Sequence, residues 1–207
     1  MLILFDNNDF LVGIGFLCVL LVVLRRQKRS WSYLLFFSIF WGYLLFVVRT
    51  VIFPFVINWG PDSPRVLPHI NLIPFYYQYC SRLFKYCFIE IVGNVVLTIP
   101  FGFGINFLAQ VKPRKILWMS VAVGFGFEFS QLVISLVFRS GFRSIDINDV
   151  MLNTLGVLFG YALFIIFAWA YIKFSEHFKI EYKGLFADIY AVAIQTRAID
   201  KSKNLTD

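Results

Sequence analysis

The sequence predicts an all-α integral membrane protein with about five transmembrane helices and one further helix lying in the outer interface. Three observations predict it. Apolar residues make up 59% of the 207-residue chain and charged residues only 15%, against about 25% charged in a typical soluble domain. Successive apolar runs approach or exceed the roughly 18–20 residues needed to cross a bilayer. The charges gather in short blocks beside those runs, where they set topology. The net charge of +7 is therefore read as topological, not as affinity for nucleic acid. No cofactor and no metal are expected.

The first run, Phe10 to Leu24, is preceded by Asp6 and Asp9 and followed by no small-x-small cleavage site, so it is read as a span and not a leader. It is short, which keeps it nearly upright, with Arg25 and Arg26 snorkelling at its end. Arg25, Arg26, Lys28 and Arg29 then place that end in the cytoplasm and the N-terminus outside. The second span, Trp31 to Val48, heads outward and ends at Arg49, a candidate counter-ion for a carboxylate within the membrane. Asn58 to Ile70 is a proline-rich loop carrying His69.

After Asn71-Leu-Ile-Pro-Phe75, helical spacing puts Tyr76, Tyr79, Leu83 and Cys87 on one face and Gln78, Arg82 and Lys85 on another. This is the expected interfacial helix. Such a helix would hold Cys80 and Cys87 about 10 Å apart, too far for a bridge. The third span, Tyr86 to Val111, carries Glu90 and Asn94, and then Pro100, Gly102 and Gly104, where a kink and close packing are expected. Lys112, Arg114 and Lys115 close it.

The fourth span, Ile116 to Phe138, holds Glu128 about halfway along and Gln131 on the same face. The turn Arg139 to Asn148 adds Arg143 and Asp146. The fifth span runs to Ile172. On it Asp149, Asn153, Gly156 and Gly160 continue from Asp146 at steps of three and four, drawing one stripe from acid through amide to small residues. Gly156 and Gly160 admit another helix closely. The tail from Lys173 is cytoplasmic, with a surface helix over Phe174 to Ala198 and a disordered end. Thirteen of the nineteen basic residues then lie inside. The chain divides into 1–70 (two helices and the outer loop), 71–172 (the membrane domain) and 173–207 (the tail).

This topology gathers Asn71, Glu90, Asn94, Gln131, Arg143, Asp146, Asp149 and Asn153 at the outer end, with Glu128 deeper. A charge at mid-bilayer costs at least about 2.5–3.5 kcal/mol, so Glu128 must face the bundle, either neutral or paired with Arg49 or Arg143. Arg143 suits a phosphate or terminal carboxylate, and the acids suit an amine or sugar hydroxyls. Asp-x-x-Asp is too weak a pattern to imply a metal. No Ser-His or Cys-His pair points to a nucleophile.

Four motifs in order carry a resemblance: Asn71–Phe75 (NLIPF), Gly93–Gly102 (GNVVLTIPFG), Phe127–Gln131 (FEFSQ) and Asp146–Gly156 (DINDVMLNTLG). Together they make Asn71 to Tyr161 resemble the VanZ-like family. The turn Arg139 to Ile145 is longer than the family pattern and adds Arg143. The resemblance implies a multi-pass protein of a bacterial cell membrane. The family's founding member raises resistance to teicoplanin, a glycopeptide that binds wall precursor ending in D-alanyl-D-alanine. The expected function is therefore non-enzymatic binding, among membrane lipids, of a lipid-linked cell-wall precursor or a glycopeptide or lipopeptide antibiotic at the outer leaflet. Two alternatives come from other classes. One is an intramembrane enzyme acting on a headgroup with Glu128 or Asp149 as acid or base. The other is a small transporter with Glu128 as proton carrier.

Overall fold

The computed structural model describes residues 1–59, 68–77, 80, 83–141, 143–179 and 182–203, with the side chains of 197–203 excepted. Five of its helices are long and apolar enough to cross a membrane. β1 (Leu2–Ile3) leads into α1 (Asn7–Arg26), whose start is set by Asp6. The Asp6 carboxylate accepts from the amides of Asn8 (2.8 Å) and Asp9 (3.1 Å), and Asp9 returns a bond to the Asp6 amide at 3.0 Å. This reciprocal cap satisfies donors that the first turn leaves without partners. It lengthens the first span to 20 residues, so the span is not the short one that apolar content alone predicts.

α2 (Trp31–Val51) returns against α1, where the Trp41 indole donates to the Gly13 carbonyl at 2.9 Å. β2 (Phe55–Val56) pairs antiparallel with β1. β3 (Ile70–Asn71) precedes α3 (Phe84–Leu108), α4 (Pro113–Val137) and β4 (Ile145–Asp146), which pairs in parallel with β3. Pro100 lies within α3, which continues through it.

α5 (Ile147–His177) is the axis of the fold, packed on α3, α4 and α6 (Leu185–Lys203). Backbone meets backbone along it. A Cβ at Gly156 would overlap the Val95 carbonyl, and one at Gly160 the Ile99 carbonyl; Gly102 of α3 sits against the Val157 carbonyl in return. Small residues are the means of such approach where lipid supplies no hydrophobic drive between helices. Gly124 of α4 does the same on the other flank, 2.5 Å from the Val150 carbonyl by its would-be Cβ.

Three expectations are corrected. Cys80 and Cys87 form a disulfide, with Cα atoms 5.2 Å apart. The 10 Å separation assumed a helix through both, whereas α3 begins only at Phe84. For the same reason the outer interfacial helix has no support among the described residues. Tyr76 and Tyr77 are irregular, Cys80 is in a turn, and Lys85 and Cys87 belong to α3; positions 78, 79, 81 and 82 lie outside the described residues. At the other end, α5 runs on past Ile172 to His177, and the tail helix starts at Leu185. That helix docks on α5, with Ala193 buried against Ala168 and Ile172.

Candidate functional site

The site is built around the start of α5. Asp146 caps this helix, accepting from the Asn148 amide at 2.8 Å. Asn71, its ladder partner, donates Nδ2 to both Asp146 oxygens at 3.0 Å and to the Tyr76 carbonyl at 3.1 Å. Asn148, 1% exposed, accepts from the Phe75 amide at 2.6 Å and donates to the Tyr76 carbonyl at 3.1 Å. Two amide side chains and one carboxylate thus pin the segment 71–76 onto α5. The pinning holds Phe75 at φ 62°, a left-handed conformation that a bulky residue adopts only under external constraint.

Glu128 joins this framework from α4. Its Oε2 accepts from the Asp146 amide at 2.9 Å, and the residue is 5% exposed. It faces protein, as its cost in lipid requires. It bonds neither Asn94 nor Asn153 among the described hydrogen bonds. Nine residues of α4 follow it, about 13 Å of helix rise. α4 therefore extends well past the level at which α5 begins. Glu128 lies deep in its own helix yet level with the first turn of the next, whose N-terminal amides favour negative charge.

A cleft of about 740 Å³ opens between α2, α3, α4 and α5. It brings together Glu90, Asn94, Glu128, Gln131, Arg143, Asp149 and Asn153. Asn94 Nδ2 donates to Asp149 Oδ1 at 2.6 Å. Asn153 is 2% exposed, and its Oδ1 has no hydrogen-bond partner among the described residues. Gln131 and Arg143 also work as helix caps. Gln131 Nε2 donates to the Val51 carbonyl at 3.0 Å, and Arg143 Nη2 to those of Thr50 (3.0 Å) and Phe53 (2.8 Å). These carbonyls lie at or just beyond the end of α2, where no further turn supplies donors. Burial pulls the Arg143 guanidinium below its usual pKa, and the neighbouring Glu128 and Asp149 oppose that.

Around the cleft, α2 and α3 touch away from the acids, through Phe36–Phe107 (4.6 Å) and Phe40–Phe101 (5.6 Å) and the Tyr43 hydroxyl on the Leu97 carbonyl at 2.9 Å. Nearer the acids they part, and the exposed side chains of Phe46, Ile89 and Val96 border the gap.

Asn71 and Asp146 stand outside this cleft, in an adjoining hollow of about 370 Å³ that shares Glu90 and Ser144 with it. His69, Tyr76, Tyr77, Tyr86 and the disulfide complete the hollow. Burial lifts the Tyr77 phenol above its ordinary pKa, reinforced by the charges of Asp146, Asp149 and Glu90. Arg49 is exposed beside Asp6 on another face and is not the counter-ion of Glu128. Gly102, Gly156 and Gly160 lie in the α3–α5 contact. Among the described residues no three His, Cys, Asp or Glu side chains converge as a metal site.

Sequence reasoning missed Asn148, although it stands inside the Asp146–Gly156 motif. It also missed Thr98, one turn from Asn94, whose hydroxyl is 2.9 Å from the Asn153 carbonyl, and Gly124, one turn from Glu128.

The fold and site define a class: a multi-pass helical membrane protein whose acidic and amide side chains converge at one end of the bundle. Within that class, the family model described as VanZ/LLP1 matches residues 40–168. The chain belongs to this VanZ-like family. The match begins inside α2, before the first of the four motifs, and so takes in the α2 wall of the cleft. No curated protein and no solved structure matches the chain.

Proposed function

We propose that this protein holds a lipid-anchored envelope molecule at the outer leaflet without chemically changing it. The headgroup rests against Glu128, Asp149 and Asn153, and the hydrocarbon chain leaves between α2 and α3 into the bilayer. The observation that carries this reading is the cleft itself: a polar floor buried in the bundle and an apolar border exposed on its flank. Pockets that hold small molecules pair apolar walls with a few convergent polar groups in this way. The holding unit is 71–172 together with the end of α2. The molecules that fit are a lipid-linked cell-wall precursor or a lipidated glycopeptide of the teicoplanin type.

Two features support placing the acidic end outside. The basic blocks lie at the opposite end, and the Cys80–Cys87 disulfide lies at this one, where an oxidising compartment keeps it. The test is purification of the full chain in native-lipid particles, with mass spectrometry of what accompanies it. Enrichment of one lipid-anchored species over the bulk membrane, lowered at least fivefold in Asp149→Asn, is expected. A retained composition equal to the bulk in both proteins would overturn the reading.

A further inference from the structure

Resting on that reading, the structure assigns the chemistry of the headgroup: we infer that the cleft recognises a primary ammonium group on its lipid-anchored ligand. The inference starts from which polar atoms the fold has already engaged. Three donors that line the cleft are committed inside the protein. Asn94 Nδ2 is on Asp149, Gln131 Nε2 is on the Val51 carbonyl, and Arg143 Nη2 is on the Thr50 and Phe53 carbonyls. The acceptors are not matched in the same way. Glu128 gives one oxygen to the Asp146 amide and Asp149 one to Asn94, so each carboxylate keeps a second oxygen.

Asn153 supplies the independent observation. It is 2% exposed, it lines the cleft one turn from Asp149, and its Oδ1 has no partner among the described residues. A buried acceptor without a donor is costly, and a ligand that brings the donor removes that cost.

The occupant must therefore bring donors and positive charge. Three carboxylates, Glu90, Glu128 and Asp149, face the cleft against one arginine. A phosphate or carboxylate would add charge of the wrong sign to a wall that sets three carboxylates against one arginine. A primary ammonium carries three N–H donors and no acceptor. A quaternary ammonium has the charge but no N–H and leaves Asn153 Oδ1 as it was. The same chemistry reaches the membrane from two sources, an aminophospholipid and a lipid-anchored peptide with a free side-chain amine.

The experiment uses the full chain in phosphatidylglycerol nanodiscs and native mass spectrometry of the retained lipid. One arm compares phosphatidylethanolamine with its N-trimethyl counterpart, phosphatidylcholine. The other compares a lipid-anchored lysyl peptide with its Nε-acetylated form. At least tenfold preference for the primary amine is expected in one arm, and that arm identifies the source. Asn153→Asp, which offers only acceptors, should keep the preference. Asn153→Leu, of similar volume, should reduce it below threefold while lipid is still retained; if that variant does not fold, Asp149→Asn carries the same expectation. Equal retention of free and blocked amines in both arms overturns the inference and leaves the lipid-holding reading standing. Retention of neither above the phosphatidylglycerol background overturns both. Undiminished preference in Asn153→Leu or, where that variant does not fold, in Asp149→Asn also overturns it.

Discussion

α3 meets α5 and α2 in opposite ways. Against α5 it presents Gly102 and receives Gly156 and Gly160, so that carbonyls sit where side chains would be. Against α2 it presents phenylalanines, and the two helices touch by rings and one hydroxyl and then part around the cleft. At its glycines the first seam has little slack, because backbone cannot change rotamer, although beyond them Phe103 and Phe107 meet Phe164 and Phe167 ring to ring. The second has slack, because rings can change rotamer. In a bilayer, where burying apolar surface gains little between helices, fit along α3–α5 holds the bundle, and the α2–α3 seam is left able to admit something. A rigid scaffold carries an adaptable wall.

Substitutions can break this comparison or sharpen it. The largest effect is expected at Gly156→Val, whose branched side chain has to displace the Val95 carbonyl and Thr98. Overpacking costs typically about 1–3 kcal/mol, and more where backbone must move. We expect little monodisperse protein by fluorescence-detected size exclusion. A variant that elutes like the parent would show that the seam is looser than drawn.

Next comes the latch. Asn148→Ala leaves the Phe75 amide without its side-chain acceptor and removes one of two amide donors from the Tyr76 carbonyl. About 1–3 kcal/mol should be lost, read as a lower Tm and faster proteolysis after the Asn71 motif. Glu128→Gln should behave differently from both. It keeps a carbonyl acceptor for the Asp146 amide, so the melting temperature should move by only a few degrees, while ligand retention falls severalfold. Equal losses of stability and retention would make Glu128 a strut and nothing more. The smallest effect is Tyr43→Phe. One interhelical bond in a membrane is worth about 0.6 kcal/mol, so stability should barely change. A large loss there would mean that the α2–α3 seam is as rigid as its counterpart.

Orientation is a separate matter from these energies. In a Cys18→Ser background, Ser144→Cys should label from outside intact cells and Lys179→Cys should not. Labelling at position 179 would reverse the topology.

The spans were legible because hydropathy and basic blocks act locally. Not all of their ends were: α2 starts at Trp31 as read, but α1 starts earlier than its apolar run because Asp6 caps it by bonding backbone amides, and such bonds leave no apolar signature. The disulfide was hidden by an assumption of helix through Cys80, since a seven-residue spacing forbids a bridge only if the chain between is helical. Docking of the tail sets Ala193 against Ala168 and Ile172, and a small residue such as Ala193 carries no signal of burial.

At the site, the stripe from Asp146 to Gly160 was readable as a helical face. Asn148 was missed because it lies about 100° round the helix from Asp149, turned toward the 71–76 segment instead of the cleft. Which donors remain available to a ligand was not readable at all. That depends on where the end of α2 arrives, and only the folded chain brings Gln131 and Arg143 to its carbonyls.

The pinned segment beside α5 has one more consequence. Leu72, Ile73 and Phe75 are 71%, 63% and 76% exposed. They stand on a backbone that Asn71, Asp146 and Asn148 hold from behind. Apolar side chains on a slack loop would fold back or drift. On a stiff one they form a keel of fixed draught, sinking into the acyl boundary to the depth their geometry allows. Since Asp146 is tied both to this keel and to Glu128, the depth at which the keel rides also fixes how far below the waterline the acids stand. A thicker or thinner bilayer then leaves the opening at the same depth below the outer surface and is accommodated at the other end of the bundle.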